Sequence, residues 1–412
     1  MTFVNDCLMA AAGVYDGSLP QALDLEWEAC DVLHASVPSE TLSLLNTDCI
    51  GRVASKTVCS SVAIPTTPTS ARDGFAVFAS KNPCDRSVPV FTRQALPEGF
   101  DCVIPVEWSK QEARERAKPG LFISPVGSLV SQGTVLQHSG QFITPTSYAL
   151  MKQAGITTVS VVRKLTIAIL TITDDPEMVY PGSASLAAGI LSRSALGITT
   201  IDFGVCPAQK DPKGLRDGLL RAVFGQAVDG VVCIGGVWSG DPALDALNEL
   251  PGCTWNEVFK HTRLGPGKPT SFGYLDVSDS GKKIPVWLLG SAVDGAECGM
   301  YAVVVPGIEA LMGLPHVMFG SSTTVMRLQI TETAKWNGKG TGDDADWVQM
   351  LPALASVRDG IVTEIISGPA KRKAEQSTGL FPMHAQKSGL VVVPYGVKSC
   401  NPGDFVSVII TN

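Results

Sequence analysis

The rhythm of apolar and polar positions changes twice along the 412 residues, near Lys164 and again after Ser321. Before Lys164 the pattern is broken into short pieces. Leu19 to Leu33 repeats its apolar positions at helical spacing, with Pro20 near the start, where a missing N–H costs little. A Pro/Thr/Ser stretch, Ile64 to Ser70, gives way to Ala71–Arg72–Asp73–Gly74–Phe75–Ala76–Val77, which reads as a loop leading into a strand. Phe91 to Val106 alternates weakly and holds two prolines, which suggests β structure with turns. Lys110 to Lys118 reads as a charged, exposed patch, and Gly127 to Gly140 carries Gly and Ser at turn spacing. Ser147 to Ala154 predicts a short helix before a strand at Thr157 to Val162.

From Lys164 the elements alternate. Leu165 to Ile172 is a continuous apolar run, as in a strand buried on both faces. Leu186 to Leu196 predicts helix and Thr199 to Val205 strand; Asp211 then caps a helix at Lys213 to Phe224, with Pro212 just inside. Val228 to Ile234 is a second buried strand, ending in Gly235–Gly236. Pro242 to Leu250 (helix), Val286 to Leu289 (strand) and Ala296 to Met312 (long apolar helix) complete an alternating β/α order. That order means a parallel sheet with helices on both faces, placed at residues 164–315. After Ser321 the pattern is β: strands at Thr323 to Thr331, Gly360 to Ile366, Gly389 to Val393 and Asp404 to Ile410, with one helix at Ser377 to Ser388. The fold class is therefore multidomain α/β plus β, ending in a small β-barrel-like domain.

Composition narrows the function classes. At roughly 100–200 residues per domain the chain holds two to four. Hydrophobic residues at 45% against charged residues at 17% exclude an intrinsically disordered chain. Thirty-two Lys+Arg against 39 Asp+Glu leave a net charge of −7, so no basic footprint favours nucleic acid or an anionic membrane. Met1 to Gly13 lacks the basic opening of a secretory signal, and the longest apolar runs fall short of the roughly 20 residues of a membrane span. Eleven cysteines, an odd count without a CxxC pair, read as reduced, buried thiols of a cytoplasmic protein. Five histidines without HxH or HxxxH spacing argue against a zinc site. His138, His261 and His384 read as structural or surface residues.

Three places carry candidate chemistry. At Gly235–Gly236–Val237–Trp238–Ser239–Gly240–Asp241 a buried strand ends in glycines and a helix follows, which lets backbone N–H groups approach a phosphate or oxyanion; a plain strand-to-helix turn has the same pattern. Gly265–Pro266–Gly267–Lys268–Pro269 is a turn presenting one ammonium, either as an anion ligand or as a solvated lysine; Pro269 excludes a Walker A loop. Asp174, Asp175 and Glu177 follow the first buried strand, as Mg²⁺ ligands or as a solvated acidic turn. Asp73, between Arg72 and Gly74, fits capping as well as catalysis, and Asp343, Asp344 and Asp346 read as a solvated loop.

Taken together, these blocks resemble the MoeA/gephyrin E-domain family, the molybdopterin molybdenumtransferases. Ser70 to Val77 looks like its S-A-M-D-G-Y-A-V. Thr92 with Ala95 to Pro105 looks like T-G-A-x-L-P-x-G-A-D-A-V-V-P, and Ile234 to Asp241 like T-G-G-V-S-V-G-D. Pro266 to Pro269 is similar to K-P-G-K-P without its first Lys. Ser388 to Pro394 with Pro402 to Val406 resembles the C-terminal N-G-L-x-x-L-P…x-x-G-E-x-V, and the blocks run in family order.

The resemblance implies an elongated homodimer of four subdomains. The first would hold residues 1–50 and 125–163, the second 51–124, a MoaB-like third 164–315 and a β-barrel-like fourth 322–412. It implies molybdate insertion into adenylylated molybdopterin, with Mg²⁺-dependent release of AMP. By carry-over, Asp73, Thr92, Asp174 and Asp241 would be catalytic. Gly235, Gly236, Ser239 and Lys268 would bind substrate, and Asp174, Glu177 and Asp241 would hold Mg²⁺. Other positions depart from the pattern. The second acid of G-[DE]-x-D falls on Ala243 and the Asp of G-E-D-I on Leu129. The L-P-G-N-P-V-S loop reads Leu288 to Asp294 without its prolines or Asn, and T-G-D-E-L has lost its Gly. Neither Ala nor Leu donates a side-chain oxygen to Mg²⁺; Asp241, Asp245 or Asp294 could compensate. Two expectations therefore stand side by side: a divergent molybdenumtransferase, or a gephyrin-like dimeric scaffold holding a protein partner at its fourth subdomain.

Overall fold

The computed structural model describes residues 18–79, 87–174, 181–194, 196–208, 210–225, 227–237, 242–331, 333–335, 347–365, 387–393, 397 and 399–411. The chain divides into two compact units, residues 39–161 and residues 1–38 with 162–412.

The first helix, α1 (Leu19–His34), starts where Ser18 accepts a hydrogen bond from the Gln21 N–H. It buries Leu19, Leu23, Cys30 and Leu33 along one stripe, together with Glu26. The Glu26 carboxyl accepts from the Trp287 indole at 2.6 Å, and complete burial pushes its pKa well up.

The 39–161 unit is built from short sheets. One of its cores gathers Leu44, Ile143, Met151, Val159 and Val161. A three-stranded antiparallel sheet, β1 (Gly74–Val77), β2 (Ser87–Val90) and β3 (Cys102–Pro105), has β1 in the centre. The charged, exposed stretch after it forms a helix, α2 (Lys110–Arg116). Seven residues show too little apolar period to be seen; the readable signal was the Ser109–Glu112 capping box.

In the larger unit the apolar runs become a six-stranded sheet. Its strands are β4 (Thr166–Ile172), β5 (Thr199–Cys206), β6 (Gly230–Gly235), β7 (Cys253–Phe259), β8 (Ser271–Val277) and β9 (Lys282–Leu289), in the order β5-β4-β6-β9-β8-β7. The four strands from β5 to β9 are parallel, as their apolar runs predict. β8 and β7 add an antiparallel border. β7 alternates half-exposed residues, as an edge strand does, which hides it from an apolar-run reading. One face packs Leu170, Cys233 and Leu288 on Leu215 and Leu219 of α4 (Pro212–Phe224) and on Leu247 of α5 (Pro242–Asn248). Helix α3 (Pro181–Arg193) connects β4 to β5. Asp211 caps α4 through the Gly214 N–H at 2.9 Å.

The long apolar helix runs as α6 (Val293–Gly299), a wide π turn (Met300–Val304) and α7 (Val305–Leu311). The π turn stands just before Pro306, whose missing N–H interrupts a regular ladder. Buried Glu309 then accepts hydrogen bonds from the Ser321 hydroxyl at 2.8 Å and the Ser322 N–H at 2.7 Å, pinning the passage into the β region.

That region is a closed barrel of β10 (Val325–Ile330), β11 (Val348–Ser356), β12 (Ile361–Ile365), β13 (Gly389–Val393) and β14 (Phe405–Ile410). The order is β11-β12-β10-β14-β13, and β13 pairs back to β11. Its interior holds Leu328, Leu351, Val391 and Val408. The strand β11 was not predicted, whereas the other four lie within two residues of their expected starts. Most of the helix expected at Ser377 to Ser388 lies outside the described residues. No helix among them is long and apolar enough to cross a membrane.

Candidate functional site

The sheet register gathers one set of sequence candidates along a single edge. Ile172 at the end of β4 pairs with Gly235 at the end of β6. Ile234 pairs with Leu289 at the end of β9, and Leu288 pairs with Ser271 at the start of antiparallel β8. Asp174, Gly235–Gly236, the Gly290–Ala292 loop and Lys268 therefore leave the sheet on the same side. At about 4.8 Å per strand the row from β4 to β8 is roughly 14 Å long. That is the length of an extended ligand rather than of one ion. In a parallel sheet this carboxyl edge is where ligands bind.

Backbone conformation explains the glycine pair. Gly235 and Gly236 have φ of +95° and +71°. A Cβ on Gly235 would stand 2.2 Å from the Ile172 carbonyl oxygen, and one on Gly236 would stand 2.8 Å from the Ile172 side chain. Only glycine fits a left-handed turn this close to its neighbour strand. The Gly236 carbonyl then accepts from the Ala243 N–H at 3.1 Å, closing the loop onto the start of α5. Ser239 and Asp241 lie outside the described residues, as does Glu177.

At the other end of the row, Lys268 is exposed on the turn between β7 and β8. Its ammonium lies 5.7 Å from the centre of the Trp347 ring. Leu264–Gly265 pairs with Val348–Gln349 of β11, so the barrel delivers Trp347 to this lysine. The turn is closed by the Gly267 carbonyl, which accepts from the Thr270 hydroxyl at 2.7 Å. Sequence reasoning missed Trp347, because 79 positions separate it from Lys268 and only strand pairing joins them.

The acids are used differently from the expectation. Asp174 Oδ1 accepts from the backbone N–H groups of Ala208 and Lys210, at 2.9 and 3.0 Å, and so fastens the loop after β5. Asp245 is exposed in the first turn of α5, and Asp294 accepts from the next N–H, that of Gly295, at 2.8 Å. Ala243 is fully buried and Leu129 is exposed; neither brings an oxygen. Among the described residues no group of three or more His, Cys, Asp and Glu is gathered as a metal site needs. Of the three residues expected to hold Mg²⁺ only Asp174 is described, and its Oδ1 already accepts two loop N–H groups. His138 is exposed on its loop, and His261 donates its backbone N–H to Ser271 Oγ beside the Lys268 turn. His384 and the acids Asp343, Asp344 and Asp346 fall outside the described residues.

Asp73 and Thr92 belong to the 39–161 unit and do meet. Asp73 Oδ1 accepts from the Thr92 N–H at 2.7 Å and the Thr92 hydroxyl at 2.9 Å. These two donors hold the exposed Asp73 carboxyl below its usual pKa. The β1–β2 ladder ends just before them, at Gly74 opposite Val90, which is why two positions 19 residues apart meet.

Comparison with known proteins places this arrangement. Residues 18–155 match the family model of the MoeA N-terminal region (domain I and II). The chain is 27% identical over 277 residues to a molybdopterin molybdenumtransferase of Haemophilus influenzae, covering 58% of this chain and 66% of that one, just under two thirds of its length. A gephyrin of Dictyostelium discoideum is 25% identical over 211 residues, covering 46% of this chain and 29% of that one. Residues 18–155 thus carry the MoeA N-terminal region, and the chain is similar to MoeA and gephyrin proteins. The crystal structure of the MoeA protein of Pyrococcus horikoshii shares the fold, with a TM-score of 0.67 at 17% identity over 96% of this chain and 100% of that one. The mixed α/β sheet and the closed terminal barrel thus belong to a fold shared with that MoeA protein.

Proposed function

We propose that this MoeA-like protein serves molybdenum cofactor biosynthesis, inserting molybdate into adenylylated molybdopterin and releasing AMP. The observation that carries the reading is the row along the carboxyl edge of the six-stranded sheet, where Gly235–Gly236 and Lys268 face the same side. Backbone N–H groups freed by the two glycines suit a tetrahedral oxyanion such as molybdate. Lys268 supplies a positive charge for the anionic end of the nucleotide-linked substrate. Trp347 restrains that ammonium and offers a flat apolar wall. Asp73, with Thr92 setting its charge, is a binding or proton-accepting group. The reading also takes over from the family a homodimer, the four-subdomain division given above and a cytoplasmic location. Any Mg²⁺ site would need Glu177 and Asp241, since Asp174 is committed to its loop; no step is assigned to the metal.

A second reading has its own observation. Ala243 and Leu129 replace oxygen donors, and Asp174 serves the fold, which is what a family member retained as a gephyrin-like scaffold would show.

The deciding experiment is AMP release from adenylylated molybdopterin by the purified protein, with molybdate, in the presence and absence of Mg²⁺. Release above the protein-free control, reduced at least ten-fold in Lys268→Ala, is the expected result. No release from folded protein, beside an active molybdenumtransferase as positive control, would leave the scaffold reading.

A further inference from the structure

Helix α1 carries a second apolar stripe beside the one it buries: Leu25, Ala29 and Val32, at i, i+4 and i+7 spacing. Leu25 is 45% and Val32 68% exposed. The stripe forms one wall of a groove of about 520 Å³, and Asn256 to Val258 of β7 form the other. Tyr274 of β8 and Lys283 of β9 line it from the sheet. The Lys283 ammonium lies 5.0 Å from the centre of the Tyr274 ring and is paired with Asp276 at 2.5 Å, which neutralises it within the lining.

The sheet is open along the same groove. Among the described residues β7 pairs only with β8 in this sheet, so half of its backbone groups face outward. At one end of that ladder the Ser278 N–H donates to the Gly252 carbonyl at 3.0 Å. Bonded positions alternate in an antiparallel ladder. Thr254 and Asn256 therefore turn their backbone groups to β8, and Trp255 and Glu257 turn theirs to the open edge. Side chains alternate as well. Asn256 is opposite Tyr274 and shares the groove face, whereas Trp255 and Glu257 lie on the other face. β7 also lacks the Lys or Pro that commonly guards an exposed edge.

We propose that this edge and groove take up an extended, cationic segment of a partner protein, added to the sheet as a seventh strand, in which apolar residues alternate with Lys or Arg. Backbone groups of Trp255 and Glu257 supply the ladder, and the groove supplies the selectivity. A strand on this edge places every second side chain in the groove, against Leu25, Ala29 and Val32, and the others beside Glu257. From Leu25 to Val32 the stripe covers about 10 Å of helix, the reach of about three extended residues. The sign of the partner's charge follows from the rim. Glu28 and Glu257 both line the groove, and among the described residues neither has a cationic partner. A second copy of this chain fits poorly, because a two-fold contact along β7 would turn the acidic rim against itself. The inference is independent of the reaction proposed above.

The test is fluorescence anisotropy of a labelled Lys-Val-Lys-Val-Lys-Val-Lys peptide with the full chain. Saturable binding is expected, weakened about ten-fold by Glu257→Lys and by Val32→Lys. Both positions are exposed, so unchanged thermal melts will confirm that the variants fold. The counterpart with Glu in place of Lys should bind the parent about ten-fold more weakly and regain affinity on Glu257→Lys. The lysine peptide N-methylated along its inner backbone keeps every side chain but loses the ladder donors, and should bind weakly too. No saturable binding, unchanged affinity in either variant, or equal binding by the Glu or N-methylated peptide would overturn the proposal. Analytical ultracentrifugation without peptide addresses the other occupant. Self-association that is lost in Val32→Lys would give this face to a second copy and overturn the partner segment; an oligomeric state unchanged by the variant is the expected result.

Discussion

The carboxyl edge of the six-stranded sheet and the Asp73 end of the three-stranded sheet present polar groups in opposite ways. The edge is built largely from backbone. Its turn depends on two glycines held against Ile172, and its row depends on strand order. The Asp73 end is built from side chains, a carboxylate charged by Thr92 and bordered by exposed rings. A backbone-built site tolerates exchange of the side chains around it, because its N–H donors do not depend on them. A side-chain-built site has no such tolerance, since the Asp73 carboxylate and its Thr92 donors must both be present.

The largest effect that could break this contrast concerns what holds the edge in place. Glu297, on α6 just after the Gly290–Ala292 loop, is ion-paired with Lys387 at the entry to β13, and both side chains are 6% exposed. Lys387→Met should cost about 3–5 kcal/mol in urea unfolding, because it removes the ammonium paired with a buried carboxylate. Adding Glu297→Leu should recover most of that loss. If the single variant is as stable as the parent, the pair does not anchor the edge to the barrel.

A smaller effect tests the backbone claim itself. Gly235→Ala should cost about 2–4 kcal/mol, since its Cβ would meet the Ile172 carbonyl at 2.2 Å. Gly120→Ala in the 39–161 unit shares a positive φ, +81°, but has nothing within 4 Å of its Cβ. It should cost only about 1 kcal/mol. Equal costs would mean that conformation, not close approach, sets the requirement.

The smallest effect is electrostatic and belongs to the side-chain-built end. Thr92 lowers the Asp73 pKa, so the carboxylate keeps its charge above that depressed value and loses it as pH falls through it. Thr92→Val removes one donor, and the Asp73 titration followed by NMR should move up. Any binding that needs the charge should then fail at a higher pH than in the parent. An unmoved titration would mean that the Thr92 hydroxyl does not set the charge.

Much of this arrangement is readable from residue order. Short stretches rich in apolar residues define β4 and β6, and Asp211–Pro212 marks the start of α4, because burial on both faces and capping are local requirements. The edge strand β7 and the barrel strand β11 are not readable in this way, since half-exposed or mixed patterns acquire meaning only from a partner strand. The candidate site divides along the same line. Glycines, Lys268 and Asp73 announce themselves by type and motif. The use of Asp174 as a loop fastener does not, because its partners lie 34 and 36 positions away.

The sequence by itself determined the alternating α/β order, the change to β structure after Ser321, the glycine turn, and the family resemblance. These follow from local propensity and period-two or period-3.6 burial. Tertiary structure alone decided three further things. It aligned Asp174, Gly235 and Lys268 along one edge, brought Trp347 from the barrel to Lys268, and left Phe91, Val106 and Phe75 uncovered around Asp73. Each depends on which strands pair and what lies over them, and pairing between distant segments is chosen by the packing of the whole chain.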